Sequence, residues 1–385
     1  MRSSVDVAVI GGGIIGCSAA AMLAARGARV ALFEASGLGA GASGRNLGAI
    51  QHPFDPVLAP LYRGSLELYR GLAEEDGAFA VPVTAAGLLL LSRDPAAARA
   101  QAAALAGSVP ELAPAFLDAG ALAEAEPSLV RGLAACRLET GFPIPPGSAT
   151  AAWARLAERH GAQLEVGREA RPVIDGGRVV GVRLAGGSHV ATGSVLVAAG
   201  PWSPQLVDPS GGWAPIHRTW GVTVQLRLGE AAPRHIVEED QVDVVNRPLI
   251  AAPAAEPATG TRADPPSLFS IASAGGVSTL GSTFLSGEPD GQRLSALLLR
   301  RGSWFLPAIG SAEVVAVRSC ARPQSMDGRP FIGPVAGAAG LFVCAGHGPW
   351  GISTGPASAA LAVGSILDGA PVPERLTASR APAAA

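Results

Sequence analysis

The chain contains no lysine, and all 29 of its basic residues are arginines. This absence excludes mechanisms that need a lysine amine, such as Schiff-base catalysis or a Walker A phosphate loop. The formal net charge is only −2, and no basic run with interleaved aromatic residues occurs. We therefore expect no nucleic-acid partner.

Cysteines and long apolar runs are also scarce. The four cysteines, Cys17, Cys136, Cys320 and Cys344, have neither the density of a disulfide scaffold nor the spacing of a zinc site. We therefore expect no metal. No run of eighteen apolar residues occurs, and the first residues lead straight into an apolar segment. We expect no membrane span, no secretory leader and a cytoplasmic location.

The composition is otherwise that of a globular protein. With 385 residues and 48% hydrophobic content, the chain is long enough for two domains with a large core. Its 50 glycines and 32 prolines are spread among periodic segments and form no repeats.

The segment from Val5 to Glu34 predicts a dinucleotide site. A β-branched strand leads into Gly11, Gly13 and Gly16, followed by an alanine-rich helix and a second strand that ends on Glu34. The first glycine permits a tight turn, the second lets backbone approach a pyrophosphate, and the third lets helix and strand pack closely. The helix N-terminus favours the negative charge. A carboxylate at Glu34 accepts ribose hydroxyls and disfavours a 2′-phosphate.

Further elements follow from periodicity. The spacing of apolar residues predicts helices at 58–72, 96–105, 148–160, 294–304 and 357–367. Strands are predicted at 87–92, within 164–190 with a hairpin turn at 175–177, at 194–200, within 222–283, at 314–317 and at 341–347. The segment 319–335 is predicted as a loop, and Ala251 to Pro266 as a proline- and alanine-rich surface linker.

Six motifs carry a family resemblance: GGGIIG at 11–16, FEAS at 33–36, GASGRNLG at 41–48, VLVAAGPWS at 195–203, ARPQSMDGRPFIG at 321–333 and AGHGPWGISTGP at 345–356. In this order they resemble the D-amino acid oxidase, glycine oxidase and sarcosine oxidase family of FAD-dependent amine oxidoreductases. The resemblance implies an α/β (α+β) two-domain fold. A discontinuous, Rossmann-like FAD domain of the glutathione-reductase type would comprise 1–82, 143–206 and 312–372, a mixed-sheet substrate or cap domain 83–142 and 207–311, and a C-terminal tail 373–385.

The motifs and the resemblance together imply a set of FAD-binding residues. These are Gly11, Gly13, Ile14, Ile15, Gly16, Glu34, Ala35, Ala42, Ser43, Arg45, Asn46, Leu47, Gly48, Ala49, Ala170, Gly346, His347, Gly348, Trp350, Gly351, Ile352 and Ser353. The glycine-rich loop from Gly346 supplies backbone donors, and the helix that follows presents its positive end to the flavin.

The resemblance implies that Arg322 grips a substrate carboxylate, because a planar guanidinium pairs bidentately with a planar anion. A structural ion pair with Asp327 or another acid is the alternative. His52 is a candidate proton acceptor or positive charge near the flavin, and a packing role is the alternative. Pro349 and Trp350 stand where glycine oxidases carry a second substrate-facing arginine, which implies a different or more apolar substrate and adds Trp350 to the candidate catalytic set.

Cys320 stands two residues before Arg322, where monomeric sarcosine oxidases attach their flavin covalently. The tyrosine and threonine that complete that signature are missing here. The sequence thus leaves open a covalent flavin link and a small buried thiol.

The resemblance implies oxidation of the carbon–nitrogen bond of an amino or imino acid, such as glycine, a D-amino acid or sarcosine. Hydride would pass from the α-carbon to the flavin, the imine would hydrolyse to a keto acid, and dioxygen or an electron carrier would accept the electrons. The alternatives are a flavin-dependent 2-hydroxy acid dehydrogenase and an FAD-carrying subunit of a multi-protein dehydrogenase. The sequence does not fix the substrate side chain, its chirality, the electron acceptor or the oligomeric state, and it allows a homo-oligomer.

Overall fold

Two large sheets organise the chain in the computed structural model, which describes residues 4–240 and 267–380. The predicted linker from Ala251 to Pro266 lies outside the described residues, as do 1–3 and 381–385. Within the described ranges, none of the helices combines the length and the apolar character that crossing a bilayer requires.

The first sheet is built from strands that are far apart in sequence. Its six strands lie in the order Phe331–Pro334, Leu341–Ala345, Ser194–Val197, Val7–Ile10, Val30–Glu34 and Gln163–Val166. All neighbours are parallel except Phe331–Pro334, which runs antiparallel to Leu341–Ala345. The central strands are apolar because both faces of the sheet are covered.

Helices cover one face of the first sheet and a small sheet covers the other. The helices are Ile14–Ala25, Ala59–Glu75, Ser148–Arg159 and Gly351–Asp368, and their apolar residues form one core with Val7, Val9 and Leu196. The opposite face packs on a three-stranded antiparallel sheet made of Ala170–Asp175, Arg178–Leu184 and His189–Ala191. The predicted hairpin turns between the first two of these strands.

The second sheet is larger and mixed. Its eight strands lie in the order Glu313–Ser325, Ile216–Arg227, Val277–Thr283, Ser267–Ala274, Ile236–Glu239, Leu88–Ser92, Ala134–Leu138 and Ala115–Leu117. Only Ile236–Glu239 and Leu88–Ser92 pair in parallel. One face packs on the helix Gly291–Ser303, and the other faces the helix Pro95–Ser108 and the candidate site.

Short elements complete the described chain: the helices Ala42–Arg45, Ala119–Ala125 and Ser203–Val207, the paired strands Ala49–Ile50 and Phe142–Pro143, and six single turns of 3₁₀ helix. The predicted fold class is confirmed: a discontinuous α/β half with a Rossmann-like sheet stands beside a half built on a mixed sheet.

Strand Glu313–Ser325 pairs along its whole length with Ile216–Arg227 of the second sheet, although the predicted ranges group 312 onward with the first. Much of the segment predicted as a loop after residue 318 is therefore strand, because the backbone of Ile216–Arg227 provides a ladder of hydrogen bonds for it. The first part of the predicted C-terminal tail, 373–385, is held against the rest of the protein. Arg380 pairs with Asp327 at 3.0 Å and stacks on the Phe331 ring at 3.6 Å.

Candidate active site

A cavity of about 660 Å³ lies between the first sheet and the open face of the second. Its lining residues fall in stretches that are remote in sequence: 10–15, 33–51, 168–171, 198–206, 344–353 and several positions of the second sheet. The volume is within the range of about 300–1,000 Å³ that is usual for ligand sites.

The glycine turn closes one side of this cavity. Gly11 has a φ of +114°, and a Cβ there would lie 2.5 Å from the carbonyl oxygen of Ala198. A Cβ on Gly16 would lie 1.8 Å from the carbonyl oxygen of Gly11. The turn and the close helix packing thus both require glycine. Gly13 has no side chain to cap helix Ile14–Ala25, and the Ile14 N–H donates to the Ser43 hydroxyl at 2.9 Å. The positive end of the helix still favours an anion in the cavity.

Glu34 ends the second strand of the first sheet and reaches back to the glycine turn. One carboxylate oxygen accepts from the Gly12 N–H at 2.7 Å, and the other accepts from the Ser36 N–H at 2.8 Å and its hydroxyl at 3.0 Å. These bonds fix the carboxylate in the cavity wall. A carboxylate has about four acceptor sites, so after these three bonds Glu34 retains capacity for about one ribose hydroxyl.

The loop after helix Ala42–Arg45 joins the two sheets. The Asn46 amide donates to the Ser43 carbonyl at 2.7 Å and accepts from the Gly48 N–H at 2.7 Å, which fixes the loop conformation. Arg45 reaches across and donates to the Ser319 carbonyl at 2.8 Å. The loop therefore holds one wall of the cavity against the second sheet.

The last helix begins six residues before the predicted start. It runs from Gly351 to Asp368 through Pro356, which lacks the N–H that would bond the Ile352 carbonyl. The Tyr69 hydroxyl donates to that carbonyl instead, at 2.8 Å. The helix therefore continues through the proline, and its N-terminal turn, not a long loop, lines the cavity. No side chain caps this turn at Trp350.

The residues present fit the FAD that the motifs predict. Two helix N-termini border the cavity, and a fixed carboxylate stands at the end of the second strand. A side chain at Gly11 or Gly16 would collide with backbone, and one at Gly13 would crowd the Ser43 hydroxyl. The positive helix ends favour the pyrophosphate, and the carboxylate favours a ribose.

Arg322 stands on the second sheet at the other side of the cavity. Its guanidinium donates to the Thr283 carbonyl at 3.0 Å and to the Ser282 hydroxyl, and lies 4.9 Å from the centre of the Phe284 ring. Burial lowers the pKa of this guanidinium, which nevertheless stays charged. Among the described residues no acid lies within ion-pair distance, and Asp327, the predicted alternative partner, pairs with Arg380. A buried cation without an anion favours an anionic ligand.

Gly221 makes room for this guanidinium. It lies opposite Cys320 in the paired strands, and a Cβ there would lie 2.3 Å from Nη2, 2.5 Å from Cζ and 2.6 Å from Nη1 of Arg322. The arginine side chain therefore folds flat over the backbone of the neighbouring strand. The Arg322 side chain can point into the cavity because Gly221 has no side chain.

Comparison with known proteins agrees with this geometry. A family profile of FAD-dependent oxidoreductases matches residues 6–364. The chain belongs to this family. The oxidoreductase is 29% identical to a glycine oxidase of Geobacillus kaustophilus over 376 residues, covering 92% of this chain and 91% of the relative. It is 30% identical to a D-amino acid dehydrogenase of Cereibacter sphaeroides over 289 residues, covering 71% of this chain and 58% of the relative. The crystal structure of a Bacillus cereus glycine oxidase has the same fold, with a TM-score of 0.80, 23% identity and 96% coverage of both chains.

Most of the residues predicted to bind FAD line the cavity of the oxidoreductase. They are Gly11, Gly13, Ile14, Ile15, Glu34, Ala35, Ala42, Ser43, Arg45, Asn46, Leu47, Ala49, Ala170, His347, Gly348, Trp350, Gly351, Ile352 and Ser353. Gly16, Gly48 and Gly346 lie behind this lining. The φ angles of +85° at Gly48 and +93° at Gly346 show that these two glycines shape the backbone.

His52, predicted as a candidate catalytic residue, does not line the cavity. Its ring packs edge-on against Phe54 and Tyr62, and its Nδ1 accepts from the Phe54 N–H at 3.1 Å. Burial lowers the pKa of this imidazole. The packing alternative therefore fits the structure, because the ring is enclosed by its own loop and the helix Ala59–Glu75.

His347 and Cys320 do line the cavity and are both buried. Burial lowers the pKa of His347 to about 3, so its imidazole is neutral at ordinary pH. Burial raises the pKa of the Cys320 thiol, although Arg322, Arg45 and Arg318 oppose that rise. His347 is therefore a weak proton acceptor, and burial favours the protonated thiol of Cys320.

Several lining residues carry no sequence signal. These are Gln51, Glu238, Ser270, Ser282 and Phe284, all in the cavity lining. The last four belong to or directly follow strands of the second sheet, and Gln51 follows the short strand Ala49–Ile50. Strand pairing and the contact between Gln51 and Glu238 bring them to one cavity, although none belongs to a spaced motif.

Proposed function

We propose that this FAD enzyme oxidises the carbon–nitrogen bond of an amino or imino acid and that Arg322 binds the substrate carboxylate. The observation that carries the proposal is the buried guanidinium of Arg322, which faces the cavity with two neutral acceptors and no acid partner among the described residues. An arginine has five N–H donors in a planar fork, so donors remain for a carboxylate.

The cofactor would be held by the residues that the sequence predicts and that line the cavity. The turn at Gly11–Gly13 and the first N–H groups of helix Ile14–Ala25 would hold the pyrophosphate, and Glu34 the ribose. The first turn of the helix at Gly351 would face the flavin pyrimidine. When bound, FAD supplies the acceptor for the hydride that leaves the substrate.

The chain's own groups orient the substrate. Arg322 fixes the carboxylate, while Leu47, Ala49 and Phe284 provide apolar wall that keeps water away from the reacting carbon. Holding the substrate in one orientation supplies a large part of the rate acceleration in such a reaction. Loss of hydride from the α-carbon of the neutral amino acid leaves an iminium ion, which water hydrolyses to a keto acid and an ammonium or alkylammonium ion.

The names of the relatives favour amine oxidation over the two alternatives. Both a glycine oxidase and a monomeric sarcosine oxidase are among them, the latter 30% identical over 226 residues. A 2-hydroxy acid would also present a carboxylate to Arg322, so the experiment must compare both substrate classes.

The test is an anaerobic screen of amino, N-methyl and imino acids against 2-hydroxy acids, with bleaching of the flavin absorbance as readout. Admission of air then shows whether dioxygen reoxidises the flavin. For the best substrate, Arg322→Ala should lower kcat/KM by roughly 10- to 150-fold, because a charge-assisted hydrogen bond worth about 1.5–3 kcal/mol is lost.

Arg227→Ala is the matched control, since it removes an exposed arginine from the neighbouring strand, where it pairs with Glu313. It should leave kcat/KM unchanged. Flavin reduction by 2-hydroxy acids alone, or an Arg322→Ala variant with normal kcat/KM, would contradict the proposal.

A further inference from the structure

A polar row crosses the open face of the second sheet. Thr223 pairs with Gly281, Gly281 with Ser270, and Ser270 with Glu238. Directly paired residues point to the same face of a sheet, and the three side chains of this row line the cavity. The row therefore ends at a carboxylate that is only 4% exposed.

Arg322 stands near the other end of this row. It bonds Ser282 and Thr283, the two residues that follow Gly281. Two strand spacings separate Gly281 from Glu238, which is about 10 Å. A buried cation and a buried anion thus face one cavity from positions that a small zwitterion can bridge.

Gln51 adds a second acceptor beside the carboxylate. Its side chain is buried, lines the cavity and donates through Nε2 to Glu238 Oε1 at 3.3 Å. Its Oε1 is buried without a hydrogen-bond partner among the described residues. An unpaired buried acceptor is costly unless a ligand supplies a donor. The site therefore favours a ligand with several donors next to Glu238.

We propose that Glu238 and Gln51 bind the protonated amine of the incoming substrate while Arg322 holds its carboxylate, and that this ammonium gives one proton to Glu238 before the hydride leaves. The proposal rests on the proposed function and adds the basis for selecting amino acids over 2-hydroxy acids. An ammonium group supplies both charge and several donors to the two acceptors, whereas a hydroxyl group has one donor and no charge.

Three probes test this with the FAD-loaded enzyme. They are 2-aminoisobutyrate, 2-hydroxyisobutyrate and pivalate, which share one carbon skeleton and carry an ammonium, a hydroxyl or a methyl group on the α-carbon. None has an α-hydrogen, so none is oxidised. Binding is measured by perturbation of the flavin spectrum and by competition with the best substrate of the anaerobic screen.

The wild-type enzyme should prefer 2-aminoisobutyrate over pivalate by roughly 10- to 100-fold, the effect of a hydrogen bond to a charged group. Glu238→Gln should remove most of this preference and leave pivalate binding unchanged. Glu239→Gln is the matched control, because Glu239 is the adjacent acid and pairs with Arg301 behind the sheet. It should keep the wild-type preference.

Two results would overturn the proposal: no preference for the amine in the wild-type enzyme, or an unchanged preference in Glu238→Gln. Pivalate binding separates this failure from failure of the proposed function. If pivalate binds and Arg322→Ala abolishes that binding, Arg322 is supported as the carboxylate site even if the amine site is refuted. If no amino acid bleaches the flavin, the proposed function itself fails.

Discussion

Substitution of Gly221 by alanine tests the position of Arg322 without removing its charge. The added methyl group would lie 2.3 Å from Nη2 of Arg322, whereas ordinary contacts are 3.4–4 Å. The guanidinium must therefore move by about 1 Å from its position beside the Ser282 hydroxyl and the Thr283 carbonyl. Gly221 lies in a strand and has no positive φ, so alanine fits its backbone.

The expected magnitudes differ for activity and stability. A misplacement of about 1 Å at a substrate-positioning group can cost about 100-fold in rate, so we expect kcat/KM to fall by that order. Stability should not fall, because the atoms that must move are the tip of a flexible side chain. Replacing glycine by alanine at a compatible site stabilises by about 0.4–1 kcal/mol.

The assay combines anaerobic flavin reduction with thermal unfolding of the FAD-loaded enzyme. Gly71→Ala is the control, since a Cβ there meets nothing within 4 Å. A double variant isolates the mechanism: in an Arg322→Ala background, Gly221→Ala should have no further effect on kcat/KM. Normal activity in Gly221→Ala, or an equal loss in both backgrounds, would refute the reasoning.

Two further predictions concern buried groups in the cavity wall. We expect denaturation to release all FAD into the supernatant, because burial raises the pKa of the Cys320 thiol and so keeps it protonated; flavin retained on the unfolded chain would establish the covalent link instead. For His347, the pKa in the folded protein is about 3, below the value of 6.5 in the unfolded chain. As the pH falls below 6.5, the unfolded chain therefore binds a proton that the folded protein does not. The free energy of unfolding then decreases by about 1.4 kcal/mol per pH unit. The unfolding free energy at pH 7 and pH 5 should therefore differ less in His347→Gln than in wild type, and an equal difference would contradict the assignment.

The nucleotide half of the site was predictable because its signals are local. The steric reasons for Gly11, Gly13 and Gly16 depend on a turn between a strand and the helix that follows it, and Glu34 is placed by the next strand. Such constraints operate over some thirty residues, so spacing alone records them. The motif identified Arg322, but the sequence predicted a loop at this position and not a strand.

Local sequence patterns gave wrong predictions where contacts between remote segments determine the structure. The spacing of apolar residues predicted a helix that starts at 357, but the helix continues through Pro356 from Gly351. The Tyr69 hydroxyl, 283 residues away from Ile352, satisfies the carbonyl that the proline leaves open. His52 follows a cofactor motif in sequence, yet its ring turns into the protein between Phe54 and Tyr62. Periodicity and proximity in sequence carry no information about either contact.

By itself, the sequence determined the α/β dinucleotide half, the FAD cofactor and the arginine proposed to bind the substrate, because these follow from backbone sterics and motifs within short segments. Tertiary structure alone decided that Glu238 and Gln51 face Arg322 across one cavity and that Gly221 makes room for the guanidinium. The physical reason is strand pairing: register places single residues from distant segments side by side, and their partners are not encoded near them in the chain.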